Sequence, residues 1–160
     1  MTNSSKNINI ISGFRKNLKL EDAKEKIKSM YDICHEVVSS DNDSIFSVSE
    51  LKGSDFPYFS NVSISSLNKI IYAEFSTDFT LNDFTLTNIN KSDFFDRLLV
   101  LNYEKNIVFW SIDKKNDTLS IKSRMYCNDL DDLSNFIESS SELSCDYIDS
   151  IDLFASTSNE

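Results

Sequence analysis

The stretch Asn90–Cys127 reads NKSDFFDRLLVLNYEKNIVFWSIDKKNDTLSIKSRMYC and contains one predicted helix followed by two predicted strands. The helix covers Lys91–Tyr103, because Asn90 is a suitable N-cap and apolar residues follow on nearly every side after the first turn. A helix that is apolar on all sides must be buried on all sides, and in a small domain a second subunit often supplies part of that burial. We therefore expect a homodimer whose interface includes Phe94, Phe95, Leu98 and Leu101.

The two strands of this stretch are separated by a polar turn at residues 113–117. In Asn106–Ile112 apolar side chains occupy both alternating sets of positions, which predicts a central strand with Trp110 buried on it. Thr118–Met125 alternates between apolar and polar residues. One face of that strand should therefore be buried and the other solvated.

The residues before this stretch predict one helix and an antiparallel meander of three strands. From Leu20 to about Ser39, apolar residues recur at steps of three and four, as on one face of a helix. Turn-forming residues follow at 40–44, and alternating apolar residues beyond them define the strands Ile45–Leu51, Tyr58–Ile64 and Lys69–Ser76. The pattern Asp-Phe-Thr-Leu then occurs twice within Asp78–Leu86, where it could cover the sheet or form an exposed binding surface.

A long acidic helix is predicted after Cys127. Its apolar positions keep a helical spacing from Asn128 to Phe154, and the serines at Ser139–Ser141 leave open whether the helix breaks or kinks there. The predicted order of elements is α-β-β-β-α-β-β-α. This order belongs to the α+β class, with an antiparallel sheet packed against helices.

The chain of 160 residues suits a single domain. We expect a flexible basic arm at residues 1–17, the α+β domain at 18–154 and a flexible tail at 155–160. No apolar run is long enough to span a bilayer, and the N-terminal residues lack the apolar segment of a secretory signal. The cysteines are odd in number and widely spaced, which favours free thiols. These features predict a cytoplasmic protein with no membrane contact.

The net charge of −10 is concentrated near the C-terminus, since residues 128–160 contain many acids and no Lys or Arg. An acidic surface repels phosphate backbones, which argues against nucleic-acid binding. Such a surface either attracts a basic protein partner or is a solvated face that keeps the protein soluble.

The sequence carries no catalytic signature, and we expect no enzymatic activity, no metal and no cofactor. His35 follows Cys34 on the predicted helix, where adjacent side chains point about 100° apart and do not form a nucleophile–base pair. The cysteines lack the CxxC spacing of a zinc site, and two glycines are too few for a phosphate-binding loop. The acids at 129–132 suit the start of a helix, because the glycine and distal glutamate of a calcium loop are missing.

Four segments together suggest a family: Phe95–Asn102, Ile107–Asp113, Leu119–Ile121 and the Leu-x-x-Leu-x-x-Phe-Ile pattern of Leu130–Ile137. They resemble the bacterial type III secretion chaperone-like (Tir-chaperone-like) superfamily, which includes stand-alone proteins described as sensory-transduction regulators. The resemblance implies a secretion-chaperone-like α+β fold and a protein that holds an unfolded segment of a client or effector protein. It also implies that the first helix and the three-strand meander contact the client. The candidate contact residues, each of which could instead be core, are Phe46, Val48, Tyr58, Val62, Ile64 and Tyr72.

Two functional classes therefore remain open. A secretion chaperone or related adaptor would bind its client through apolar patches and through a sheet edge that accepts a further strand. An immunity or regulatory protein would instead neutralise a basic partner, such as a toxin, through the acidic face of the last helix. The identity of the client or partner does not follow from the sequence.

Overall fold

The computed structural model describes residues 18–67, 70–80, 96, 108–113, 116 and 118–157. In chain order its helices and strands are α1 Leu20–Met30, β1 Tyr31–Ser39, β2 Asp43–Leu51, β3 Ser60–Leu67, β4 Ile70–Thr80, β5 Val108–Asp113, β6 Thr118–Cys127 and α2 Leu130–Thr157. The strands form one antiparallel sheet in the order β1-β2-β3-β4-β6-β5. The predicted α+β class, with an antiparallel sheet packed against helices, is confirmed.

The main core lies between the sheet and the two helices, which pack on the same face of it. Alternate residues of β2, β3 and β4 point into this core, so that Phe46, Val62 and Phe75 are at most 1% exposed. The helices contribute the fully buried side chains of Ala23, Ile27, Leu133 and Ile137. The predicted meander is thus found, with each strand shifted or extended by a few residues at its ends.

The segment that follows α1 departs from the sequence prediction, which continued the first helix to Ser39. The helix ends at Met30, and Tyr31 is already extended, with φ −115° and ψ 148°. The strand β1 then pairs with β2 along its whole length, beginning with Tyr31 opposite Leu51. The prediction of a helix to Ser39 was therefore wrong, and the sheet gains one strand.

The physical reason lies in the hairpin that β1 forms with β2. The backbone N–H of Ser40 donates to the carbonyl of Asp43 at 2.8 Å, which closes the turn between the two strands. The β-branched residues Val37 and Val38 favour extended chain over helix. Hydrogen bonding along the hairpin therefore stabilises a strand here. The spacing of the apolar residues by three and four positions matches a helix only by coincidence.

The strands β5 and β6 match the two predicted runs, but their positions in the sheet differ from the prediction. The order of strands places β6 between β4 and β5, so that β5 lies at one end of the described sheet. Among the described strands, β5 therefore has a neighbour on one side only, whereas the sequence predicted a central strand with neighbours on both sides. Apolar residues on both faces indicate that both faces are covered, and they do not indicate that both edges are paired. The burial predicted for Trp110 concerns a side chain outside the described part.

The helix α2 begins with a reciprocal cap one residue later than predicted. The N–H of Asp132 donates to Asp129 Oδ1 at 2.8 Å, and the N–H of Asn128 donates to Asp132 Oδ2 at 2.9 Å. Both carboxylates thus satisfy N–H groups near the positive end of the helix dipole. The helix continues to Thr157, three residues beyond the predicted domain boundary at 154.

The helix α2 runs without a break through Ser139–Ser141, where the sequence had left a break or kink open, and it accommodates its buried serines. Ser141 Oγ donates to the carbonyl of Ile137 at 2.9 Å, a bond back to the preceding turn that satisfies the hydroxyl. Ser123 Oγ on β6 donates to Ser140 Oγ at 2.6 Å. Small hydroxyl side chains therefore allow α2 to lie close to the sheet while keeping buried polar atoms bonded.

Other predictions fall outside the described residues. These are the helix Lys91–Tyr103, the interface residues Phe94, Phe95, Leu98 and Leu101, the arm at residues 1–17, and the second half of the repeat, residues 82–86. Asp96 is described, and it is helical and exposed.

Candidate functional site

The residues predicted to bind a partner fall into two groups in the structure. Phe46, Val48, Val62 and Ile64 are at most 1% exposed and belong to the core. The structure thus assigns these four to the core alternative that the sequence had left open. Tyr58 and Tyr72 are half-buried. The ring of Tyr58 makes an edge contact with the ring of Phe79, with centroids 5.2 Å apart.

The open face of the sheet, opposite the helices, mixes polar side chains with exposed apolar and aromatic ones, such as Leu67 at 50% and Tyr126 at 60%. Across β4 and β6, the rings of Tyr72 and Tyr126 lie 5.1 Å apart, and Arg124 Nε donates to Glu74 Oε2 at 2.6 Å. Small polar residues of β3, such as Ser63, lie beside this pair of strands. Among the described residues of this face, the opposite charges of Glu74 and Arg124 pair with each other.

Among the strands whose burial the structure describes in full, the most exposed is β1, at the opposite end of the sheet from β5. Among the described residues, no strand pairs with its outer edge. Its apolar side chains are unusually accessible: Ile33 is 36% exposed, Val37 59% and Val38 48%. Long edge strands with exposed apolar residues are usually avoided in soluble proteins, because their free N–H and C=O groups recruit other strands. The strand β1 therefore combines two properties that favour pairing with another polypeptide.

The register between β1 and β2 shifts between Glu36 and Val38, where β1 contains one extra residue. A bulge of this kind bends a strand and re-aims the side chains around it. Glu36 is opposite Phe46 of β2, whose side chain is in the core, and so lies on the helix side of the sheet. The bulge separates this anchored residue from the exposed pair Val37 and Val38.

A buried ammonium group holds β1 against α1. The Lys24 side chain is only 7% exposed, and its Nζ lies 3.3 Å from Glu36 Oε1 and 3.2 Å from Glu21 Oε1. Lys24 Nζ also donates to Ser39 Oγ at 3.2 Å, and Ser44 Oγ donates to Glu36 Oε1 at 3.0 Å. One cation thus contacts two points of β1, on either side of the bulge, and fixes the strand before any partner arrives.

The ionisation of both charged groups is favoured by this arrangement. The hydroxyls of Ser39 and Ser44 and the ammonium of Lys24 outweigh partial burial and lower the pKa of Glu36. Burial of Lys24 acts to lower its pKa, but hydrogen bonds to Glu21 and Glu36 outweigh that effect and raise the pKa. The pair is therefore charged at neutral pH.

The residues considered above for catalysis are not arranged for it. Cys34 and His35 are adjacent on a strand, so their side chains point to opposite faces of the sheet. Burial raises the pKa of the Cys34 thiol, which disfavours the reactive thiolate. Burial also raises the pKa of Cys127 to about 12. Within the described part of the chain, no three His, Cys, Asp or Glu residues are grouped as metal ligands.

The outer face of α2 carries a line of exposed acids with helical spacing. No Lys or Arg occurs in residues 128–160 to pair with them along the helix. Asp132 belongs to the cap and is half-buried. The exposed acids along the described helix are Asp131, Glu138, Glu142, Asp146 and Asp149.

Sequence reasoning missed the edge of β1 because it assigned these residues to a helix. The signal that could have revealed the strand was the adjacent pair of β-branched residues, Val37 and Val38, directly before the turn-forming cluster at 40–44.

In the described part of the structure, neither helix has the length and apolar character needed to cross a membrane. Searches of protein-family models, curated proteins and solved structures returned no match to this chain.

Proposed function

We propose that this protein is a non-enzymatic binding module that holds an extended segment of a client protein along the outer edge of β1. The resemblance to type III secretion chaperones suggests the same class of function, in which a chaperone keeps part of an effector unfolded. The open edge of β1 is the observation that carries the proposal.

Strand addition to a sheet edge needs two features, and β1 has both. The free backbone groups of the edge supply affinity that depends little on sequence, and side-chain contacts supply specificity. The strand has nine residues, which offers a pairing length of about 30 Å at about 3.3 Å per residue. Ile33, Val37 and Val38 provide apolar surface that a bound strand would cover.

The edge also needs no reordering before it binds. Lys24 fixes β1 on both sides of the bulge, and β2 pairs with its inner side throughout. A preorganised strand avoids part of the entropic cost of ordering the binding site. The partner segment would still lose its own conformational freedom, as expected for an unfolded client.

A cytoplasmic location is part of this proposal. Cys34, Cys127 and Cys145 all carry free thiols. Cysteines that remain unpaired are typical of reducing compartments. A chaperone that keeps a client unfolded before export would also act in the cytoplasm.

The exposed acids of α2 support a second candidate, an immunity or regulatory protein that neutralises a basic partner. An acidic surface of this kind would steer a basic protein and make its affinity depend steeply on salt. The two candidates use different surfaces of the molecule, so substitutions on each surface separate them.

The test is to capture partners from the native host with the wild-type chain and with surface variants, and to map the contact by hydrogen exchange. The variant Val38→Lys places a charge on the exposed edge, and Leu67→Lys is a matched control, since Leu67 is 50% exposed at the end of β3. We expect Val38→Lys to abolish capture, Leu67→Lys to retain it, and the amides of residues 31–39 to gain protection in the complex. Equal capture by both variants, or protection confined to α2, would reject the edge as the binding site.

A further inference from the structure

The hairpin formed by β1 and β2 is acidic over its whole length. Between residues 29 and 51 the chain contains no Lys or Arg. The basic residues that compensate part of this charge come from outside the hairpin. The acids within it are Asp32, Glu36, Asp41, Asp43 and Glu50.

Two of these acids are matched by cations. Glu36 lies against Lys24 as described above, and Lys28 Nζ is 3.8 Å from its other oxygen, Oε2. Asp32 Oδ1 lies 3.8 Å from Lys52 Nζ. These pairs offset the negative charges of Asp32 and Glu36 within β1.

The other three acids are exposed and lie near the two ends of the hairpin. Asp41 lies in the turn after Ser39, and Asp43 is the first residue of β2. Glu50 is level with Asp32 at the other end, because Tyr31 is opposite Leu51 and Ile33 is opposite Ser49. In the part of the chain that the structure describes, no cation lies within ion-pair distance of these three carboxylates.

The backbone of Glu50 adds an independent sign that this position is under constraint. Its φ of 59° lies in the left-handed region, which a residue with a Cβ adopts at a cost. Strained residues of this kind persist where the surrounding structure requires them, and they cluster at binding and switch sites.

We infer that the segment held along β1 is basic as well as apolar, a deepening that rests on the proposed function. Its centre alternates aliphatic residues that cover Ile33, Val37 and Val38. Lys or Arg residues flank that centre and reach Glu50 at one end and Asp41 and Asp43 at the other. Since Asp32 and Asp41 are nine positions apart, the two basic groups are separated by about nine residues of extended chain.

The chemistry favours a segment of another protein over a second copy of this chain. A second copy would bring its own acidic hairpin, in a protein of net charge −10, against the same edge. Like charges placed opposite each other across paired strands are destabilising. A basic segment instead gains from each unmatched carboxylate, and the long-range field of the acidic protein speeds its approach.

Three synthetic peptides test this inference on the full chain. All share a centre of alternating valine and threonine, and they differ in carrying two lysines, two serines or two glutamates at each end. We expect the lysine-flanked peptide to bind about five- to tenfold more tightly than the serine-flanked one at low salt, and the glutamate-flanked one to bind most weakly. The preference should shrink at high salt, because exposed charges are screened.

Variants assign the preference to the hairpin. Combining Asp41→Asn, Asp43→Asn and Glu50→Gln should remove the preference for lysine, so that the ratio of the affinities for the lysine-flanked and serine-flanked peptides falls to about one. If all three peptides protect residues 31–39 equally, the charge inference is overturned and the proposed function stands. If no peptide protects those residues, the proposed function fails and the inference fails with it. A preference for lysine that survives the hairpin variant but is lost when Asp131 and Glu138 are changed to Lys would also overturn the inference.

Discussion

Removing the hydroxyl of Tyr31 should stabilise the protein, which is the reverse of the usual effect of a Tyr→Phe change in a core. The side chain is 4% exposed, and its phenol oxygen is buried without a hydrogen-bond partner among the described residues. A buried polar group that lacks a partner costs about 1–3 kcal/mol. The change Tyr31→Phe removes the oxygen and keeps the ring, so we expect the free energy of unfolding to rise by about 1 kcal/mol.

The neighbouring hydroxyl of Ser141 provides the sharpest check on this reasoning. The Ser141 hydroxyl acts to lower the pKa of Tyr31, but burial raises that pKa by more. The proton of the Ser141 hydroxyl is donated to the carbonyl of Ile137. If Ser141 does not bond Tyr31, the effects of Tyr31→Phe and Ser141→Ala on the free energy of unfolding should add within about 0.5 kcal/mol. Urea unfolding of both single variants and the double variant measures this. A loss of stability of about 1 kcal/mol in Tyr31→Phe, with a coupling of similar size, would refute the argument.

The same residue makes a prediction at alkaline pH. Burial raises the pKa of Tyr31 well above its ordinary value of 10.0, so the folded protein retains a proton that the unfolded chain releases. The resulting stabilisation is fully present below pH 10 and is lost as the pH rises above it. Between pH 9 and pH 11, wild type should therefore lose about 1.4 kcal/mol more stability than Tyr31→Phe. Parallel pH dependences of the two proteins would contradict the burial of an unpartnered phenol.

Three further predictions concern assembly, charge and backbone strain. Light scattering of the wild type should give twice the chain mass of 18.3 kDa, and the measured mass of Leu98→Glu should fall to that of the monomer if the predicted interface is correct. A wild-type protein that measures as a monomer would reject the homodimer. Changing Asp131 and Glu138 to Lys, with the capping residue Asp132 left intact, should change client affinity by no more than about threefold, because these residues lie away from β1. A hundredfold loss of affinity would instead favour the neutralising function. Glu50→Gly should preserve the free energy of unfolding or raise it by up to about 1 kcal/mol, whereas Glu50→Val should lower it by about 1–2 kcal/mol, since only glycine adopts a positive φ without cost. Equal losses of stability for the two variants in chemical unfolding would argue against the left-handed conformation.

The meander could be predicted from the sequence because its buried residues alternate. In β4, for example, Ile71, Ala73 and Phe75 are buried while the residues between them are half-buried. This pattern is the direct signature of a sheet with one covered face. The strand β6 was found for the same reason, whereas β5 was found because apolar residues occupy both of its alternating sets of positions.

The candidate site could not be predicted in the same way, because an exposed edge strand leaves no periodic signal. From Asp32 to Ser39 nearly every side chain is exposed, so burial imposes no alternation on β1. The spacing of its few apolar residues then matched a helix by coincidence. The position of Lys24 was equally hidden, since a lysine on an amphipathic helix usually points to solvent, and only the contact with Glu36 explains its burial.

Whether α2 breaks at Ser139–Ser141 could not be decided from the sequence, because the sequence does not reveal which acceptor a serine hydroxyl bonds. Serine side chains often compete with the backbone and end helices. In α2 the hydroxyl of Ser141 bonds within its own helix, and that of Ser140 accepts from Ser123 on the sheet. A residue that usually interrupts helices is here a small spacer that lets two layers meet.

The bulge in β1 also affects how a bound strand would respond to mechanical force. A segment paired along an edge and pulled along its own axis loads all of its backbone hydrogen bonds at once, in shear. The same segment pulled away from one end breaks those bonds one after another, as a zipper opens. Because the register of β1 changes between Glu36 and Val38, peeling from either end would stop at that point and continue only after the remaining bonds had been loaded afresh. If a client segment pairs with β1 as proposed, the edge would hold it firmly against tension along the strand and would release it in two steps when it is pulled off sideways.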